Sequence, residues 1–345
     1  MSRYMAVNIT RRKAIALLGA GFGMAATKAR SQSGAAQERV KVRMGIISAL
    51  FDAPSLIALE KGYFQEEGLD VEVTKFATGA DEYQAHATGI IDVATSSVNV
   101  ALLNAKLRDI DLSVVAGAGN NTPDHGFISV VLSKQLINSG RYKGLADLKG
   151  MKIATGVTSA PHWVISEVAR KAGLQKDDVK YVSLGFANVV AGLSNGAVDG
   201  ASVAEPLASL LMERAGVTRI SSIDQVFPNS PVGYLVYGPA LTKDNVDAGN
   251  RFMVGYLKGV RDYGQAFGSA QTDKEQILAM LRKYNIEIAP GSPSLFIPED
   301  AAPSLEWVDA FIDWQIEMGT LRTRLDPKSI MDDSFRQAAL TKLGK

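Results

Sequence analysis

The chain reads as an α/β protein built from two similar lobes, and three observations predict it. Short apolar runs alternate with helical patterns in two successive rounds, the first opening near Val40 and the second near Gly150. Short matches recur at a single offset of 107 residues: Asp52-Ala-Pro54 with Ser159-Ala-Pro161, and Gly89-x-x-Asp92-x-Ala94 with Gly196-x-x-Asp199-x-Ala201. Thr78-Gly79-Ala80 falls on Gly185-Phe186-Ala187 at that offset, and Arg43–Ser48 is expected to fall on Gly150–Thr155.

Residues 40–47 read as a strand and 54–65 as a helix. Alternating polarity makes 69–76 a strand, with Val71 and Val73 on one face. Helix 81–87, strand 91–95, helix 98–107 and strands 112–116 and 128–132 follow, with turn-rich sequence at 117–126. The second round runs strand 152–154, helix 161–172, strand 179–183, helix 187–193, strand 198–203 and helix 206–215. Residues 232–237 read as a return strand. Apolar spacings of three and four then give helices over 245–267, 273–284, 305–318 and 332–343.

Open α/β sheets bind ligands outside the carboxyl ends of their strands. The repeat therefore pairs loops 49–52 with 156–159, 77–80 with 184–187 and 95–98 with 202–205 around one expected cleft. Helix starts such as 159–161, with Pro161 in the first turn, present unpaired N–H groups to a ligand.

The formal net charge of +1 hides an asymmetry. The first 35 residues hold six Lys or Arg and no acid, which leaves 31 basic against 36 acidic residues, or −5, in the remainder. That acidic body argues against a nucleic-acid or anionic-membrane partner. There is no cysteine, which removes disulfides, thiolate zinc sites and cysteine nucleophiles. His86, His125 and His162 fit no metal-ligand spacing, so neither a metal nor a cofactor is expected. Residues 1–35 read as a cleavable export signal. Arg11-Arg12-Lys13 precedes an apolar run of about a dozen residues, shorter than the roughly 20 that span a bilayer. The arginine pair resembles a twin-arginine signal without its usual aromatic, leaving the Tat and Sec routes open to the periplasm.

Residues 54–71, Pro54-Ser-Leu-Ile-Ala-Leu-Glu-Lys-Gly-Tyr-Phe-Gln-Glu-Glu-Gly-Leu-Asp-Val71, resemble the opening of ABC-transporter solute-binding proteins for nitrate, sulfonates, taurine and thiamine-pyrimidine precursors. Gly89-Ile-Ile-Asp-Val-Ala94, Leu148-Lys-Gly-Met-Lys-Ile-Ala154 and Asn195-Gly-Ala-Val-Asp-Gly-Ala201 with Glu205-Pro206 fit further steps of that pattern. The resemblance spans about residues 40–240. It implies a type II periplasmic-binding-protein fold: two α/β lobes, a ligand cleft, two hinge crossings and a helical C-terminus. It places lobe one at 38–122 plus 235–345 and lobe two at 123–234. It implies a monomer that closes on a small-molecule solute and delivers it to an ABC permease with its ATPase. A same-fold enzyme of pyrimidine-precursor type and a ligand-sensing partner of a membrane receptor stay open as alternatives.

Candidate ligand contacts follow from the loops. Phe51, Asp52, Gly79, Ser96 and Ser97 represent lobe one; Thr158, Ser159, Ala160, Phe186, Asn188 and Glu205 represent lobe two. Asn120 lies on the first crossing and Tyr234 near the second. Asp52 and Ser159 are equally readable as helix N-caps, and Trp163 is more readily core than ligand stack. No arginine stands in these loops, which leaves a buried dianion without a clamp. The expected ligand is a small organic solute, heteroaromatic or bearing a sulfonate or carboxylate, rather than inorganic nitrate.

Overall fold

The computed structural model describes residues 39–344 apart from 124–125, 158, 185, 269 and 289–293, and only the backbone at 186 and 187. The expected export signal and Thr158 lie outside the described residues.

Strand β1 (Val40–Ile46) leads through α1 (Ala53–Glu60) and α2 (Tyr63–Glu66) to β2 (Leu69–Lys75), α3 (Gly79–Ala87), β3 (Val93–Ser96), α4 (Val100–Lys106) and β4 (Ser113–Gly117). The chain crosses by β5 (Asn120–Asn121) into β6 (Ile128–Leu132) and α5 (Lys134–Asn138). The second round is β7 (Lys152–Ala154), α6 (Ala160–Lys171), β8 (Lys180–Val182), α7 (Phe186–Asn195), β9 (Gly200–Ala204), α8 (Leu207–Ala215), β10 (Thr218–Ser222) and α9 (Ile223–Val226). It crosses back by β11 (Ser230–Pro231) into β12 (Tyr234–Tyr237). Helices α10 (Val246–Phe267), α11 (Lys274–Arg282), α12 (Val308–Glu317) and α13 (Ser334–Lys342) complete it.

Two five-stranded sheets share one plan. The first has the order β2-β1-β3-β12-β4, and the second, read from its other edge, β8-β7-β9-β6-β10. In each, the strand that arrives from a crossing is inserted antiparallel between its neighbours, β12 between β3 and β4, β6 between β9 and β10. The crossings pair with each other as a two-stranded ribbon, Asn120 opposite Pro231 and Asn121 opposite Ser230. Helix α10 forms the spine of the first lobe. Gly259 lets it lie on α1, because a Cβ there would collide with the Pro54 carbonyl.

The internal repeat is real in three dimensions, with one correction. Gly45 pairs with Ala94 and Ala154 pairs with Ala201. Equivalent first-strand positions are thus 109 apart (45 and 154), and third-strand positions 107 apart (94 and 201). The first round has two more residues between its first strand and its first helix, and they are absorbed before α1, where Leu50–Asp52 forms a 3-10 turn. Arg43–Ser48 therefore does not fall on Gly150–Thr155. The predicted helix 54–65 also breaks, because Gly62 adopts a left-handed φ of 78° between α1 and α2. Strand β10 and helices α5 and α9 escaped the pattern reading, each being short and mixed in polarity.

The repeated aspartates fasten the first strand of each sheet to the third. Asp92 Oδ2 accepts from the Arg43 backbone N–H at 2.8 Å and from its Nε at 3.1 Å, while Oδ1 takes Nη2. Among the described residues Asp199 Oδ2 accepts only the Lys152 backbone N–H, at 2.9 Å. Both substitutions to Ala should leave a strand N–H unsatisfied, but Asp92→Ala also frees a guanidinium. We expect Asp92→Ala to cost about 2 kcal/mol and Asp199→Ala less, measured by urea denaturation. Equal losses would show that the Arg43 fork contributes nothing.

Candidate functional site

The strand ends of the two sheets face each other across a cavity of about 250 Å³. The first sheet contributes Ile47, Ala49 and Phe51 from the loop after β1, and Ser97 from the end of β3. The crossings contribute Asn121, Pro231 and Val232. The second sheet contributes Phe127 and Ile128, then Ser159, Ala160, Pro161 and Trp163 at the start of α6, with Ala204, Glu205 and Ile223. Trp307, just before α12, completes the wall.

The walls are aromatic and come from both sides. Phe51 faces Phe127 with ring centroids 6.3 Å apart. Trp163 stacks on Phe227 at 4.1 Å and meets Trp307 at 5.3 Å and Phe311 at 5.7 Å. The start of α6 is thus joined to α12 across the cleft, each such pair contributing on the order of 1 kcal/mol beyond area burial. His162 packs edge-on against Tyr181 and Trp314, and burial lowers its pKa to about 4, so it stays neutral at physiological pH.

Among the described lining residues no lysine or arginine appears, and Glu205 is the one charged group. Its Oε2 accepts from the Ser209 N–H at 3.1 Å and its Oε1 from Arg219 Nη2 at 3.2 Å. Burial still holds this carboxyl above the usual range. The Asn121 amide is already committed: Nδ2 donates to Ser230 and Oδ1 accepts from the Phe127 N–H at 2.7 Å. Ser159 sits at the N-cap position with extended backbone, but its hydroxyl donates to the Gly156 carbonyl, leaving its lone pairs for a ligand.

Phe51, Ser97, Ser159, Ala160 and Glu205 are therefore brought together at the cavity. Asn120 is not: its backbone pairs in the hinge ribbon, and its neighbour Asn121 takes the lining position. Tyr234 is fully buried in the first sheet and donates to the Ser304 carbonyl at 2.5 Å. Gly79 packs against the Ser96 hydroxyl, and Ser96 faces the interior beside α3. Asn188 is exposed on α7 and lines no part of the cavity, and the Phe186 side chain is not described. Trp163, read as core, is both core and wall. Trp307, Phe127 and Ile223 were missed, since they belong to no repeated motif and reach the site only through tertiary packing.

Asp52 is also corrected. It makes no side-chain cap bond, and its own φ and ψ are helical. Its Oδ2 instead turns back to accept the N–H groups of Ala49 at 2.9 Å and Ile47 at 3.3 Å, shaping the loop that lines the cavity. Behind it lies Glu82 on α3, fully buried against Gly45. Among the described residues no hydrogen bond of normal geometry reaches Asp52 Oδ1 or either Glu82 oxygen, and the Ser96 hydroxyl lies beside Glu82. Burial pushes Asp52 up to about 8; burial, with the Asp52 charge added, pushes Glu82 up to about 9.

Two facing lobes, each completed by a strand from a crossing, with a cavity at their strand ends, define a substrate-binding protein of the periplasmic-binding fold. The chain belongs to the NMT1/THI5-like family, whose model matches residues 52–265. A candidate binding protein of Brucella abortus (strain 2308) is 24% identical over 301 residues, covering 84% of this chain and 90% of that protein. A candidate aliphatic sulfonates-binding protein of Bacillus subtilis (strain 168) is 24% identical over 332 residues, covering 94% and 96%. The crystal structure of the periplasmic nitrate-binding protein NrtA from Synechocystis PCC 6803 superposes with a TM-score of 0.70 at 16% identity, covering 89% of this chain and 90% of that one. Among the described residues, no helix is long and apolar enough to cross a membrane.

The buried acids make stability depend on pH. Between about pH 4.5 and 9 the folded state keeps a proton on Glu82 that the unfolded chain has released, so stability falls as pH rises through that window. Glu82→Gln, uncharged throughout, should flatten the fall and raise Tm at pH 8 by at least about 2 °C. Thermal unfolding from pH 5 to 9 checks this; a parallel decline in both proteins would clear Glu82 of responsibility.

Proposed function

We propose that the protein is the exported solute-binding component of an ABC importer, with residues 38–122 plus 235–345 as one lobe and 123–234 as the other. It captures a small heteroaromatic solute by hinge closure and passes it to a membrane permease with its ATPase. The observation that carries the choice of solute is the cavity wall. Phe51, Phe127, Trp163 and Trp307 offer flat apolar faces from both lobes, and among the described residues no cationic side chain lines the same space. A sulfonate, carboxylate or nitrate would be stripped of water there without a charge partner, at a cost of several kcal/mol. A neutral ring with N–H groups loses little: Glu205 and the Ser159 lone pairs can accept from it, and the rings can stack on it. Differential contact with both lobes is what lets such a solute favour the closed state.

Thermal-shift titration tests the reading. Neutral pyrimidines and related heteroaromatics should raise Tm, by about 2.7 kcal/mol of apparent stability at a hundredfold excess over Kd. Taurine, alkanesulfonates and nitrate should not; stabilisation by those anions alone would overturn the assignment. Ser159→Leu should remove the response to the stabilising solute while leaving the far-ultraviolet circular dichroism spectrum unchanged, and undiminished affinity would take Ser159 out of the site.

A further inference from the structure

The loop that walls the inter-lobe cavity contains a strained residue, and a buried carboxyl holds it. Ser48 has a left-handed φ of 58°, a conformation that Cβ-bearing residues rarely adopt. Asp52 Oδ2 accepts from the N–H groups on either side of it, Ile47 at 3.3 Å and Ala49 at 2.9 Å. Ile47, Ala49 and Phe51 line the cavity, so the same two hydrogen bonds set the position of the wall.

That carboxyl is sealed from water together with a second one, since Asp52 and Glu82 are both fully buried. The groups packed about them are neutral or engaged. The Tyr83 hydroxyl donates to the Ser97 carbonyl at 3.2 Å, Tyr256 on α10 donates to the Gly117 carbonyl at 2.8 Å, and His86 Nε2 donates to the Asp92 carbonyl at 3.0 Å. Ser96 lies beside Glu82, and among the described residues no positive charge acts on either acid. Burial without a counter-charge keeps both protonated at neutral pH. The internal repeat supplies a comparison. At the 107-residue offset Asp52 corresponds to Ser159, Glu82 to the buried Val189 and Ser96 to the buried Val203. The second sheet assembles on the same plan without either acid, so the pair serves the 47–49 loop rather than the fold.

We propose that Asp52 is a positioning residue whose carboxyl clasps the 47–49 wall of the cavity, and that the clasp opens as its proton leaves. An opened loop admits water, and Asp52 ionises there in the ordinary carboxylate range. The closed loop therefore holds one proton more than the open one, and opening grows easier as pH rises from that range towards about 8. The bearing of this clasp on solute capture rests on the cavity being the solute site; the exchange slope below, taken without solute, stands or falls separately.

Amide hydrogen exchange in the ligand-free full chain, followed by nuclear magnetic resonance and corrected for base catalysis, tests the clasp between about pH 5.5 and 7.5. Protection of Ile47 and Ala49 should fall about tenfold per pH unit, the slope of a single proton. Met44 and Gly45 in β1 should exchange at least about tenfold more slowly, because the loop opens without its strand. Asp52→Asn still accepts both bonds but has no proton to lose, so its loop protection should be independent of pH. Ser48→Gly, which relieves the left-handed strain, should raise loop protection and keep the slope, and it decides the matter if Asp52→Asn fails to fold. A flat wild type, a slope that survives Asp52→Asn, unchanged protection in Ser48→Gly, or a loop that exchanges only together with β1 would overturn the proposal.

Discussion

Each sheet depends on a strand that reaches it by a crossing. β12 cannot take its place between β3 and β4 until the chain has passed through the whole second lobe, and β6 enters between β9 and β10 directly from the first. Because the inserted strands are internal, the crossings are anchored by hydrogen bonds on both sides rather than hanging from a sheet edge. The chain passes between the two sheets through the short ribbon of Asn120–Asn121 and Ser230–Pro231. The cavity opens beside that ribbon, and Asn121 and Pro231 belong to both. The same arrangement makes the fold non-local: the first sheet waits for residues 234–237 to close it.

Much of this architecture is legible in the amino-acid order, for a physical reason. Strand and helix periods survive in single segments, and repeated strand-to-helix joints keep their Pro, Gly and Asp residues because backbone geometry requires them. What cannot be read is where side chains turn once the chain is packed. Asp52 and Ser159 occupy matching positions, yet one reaches back to two loop amides and the other donates to a carbonyl. Asn120 and Asn121 are adjacent, and the sheet's twofold alternation decides which one meets the cavity. Trp307 stands 144 residues beyond Trp163 (163 to 307) and in no repeat, so only tertiary structure brings them within 5.3 Å.

The cavity and the layer behind it have contrasting chemistry. The wall is aromatic and lightly polar, with Glu205 partly neutralised by Arg219. One layer deeper in the first lobe, Asp52 and Glu82 stand without a counter-charge. The 47–49 loop thus has one side that lines the cavity and a hidden side held by a carboxyl. Natural cores rarely tolerate such unpaired acids, and where they persist, stability has been given up to fix a local conformation.

The aromatic bridge between α6 and α12 also determines how the molecule can be watched. The chain has three tryptophans, and Trp163, Trp307 and Trp314 all lie along this one seam. Its intrinsic emission therefore originates where the lobes touch, with no distant indole to dilute it. Were the two sheets to separate, these rings would be wetted or unstacked, and that change would carry its own optical signature without an attached dye.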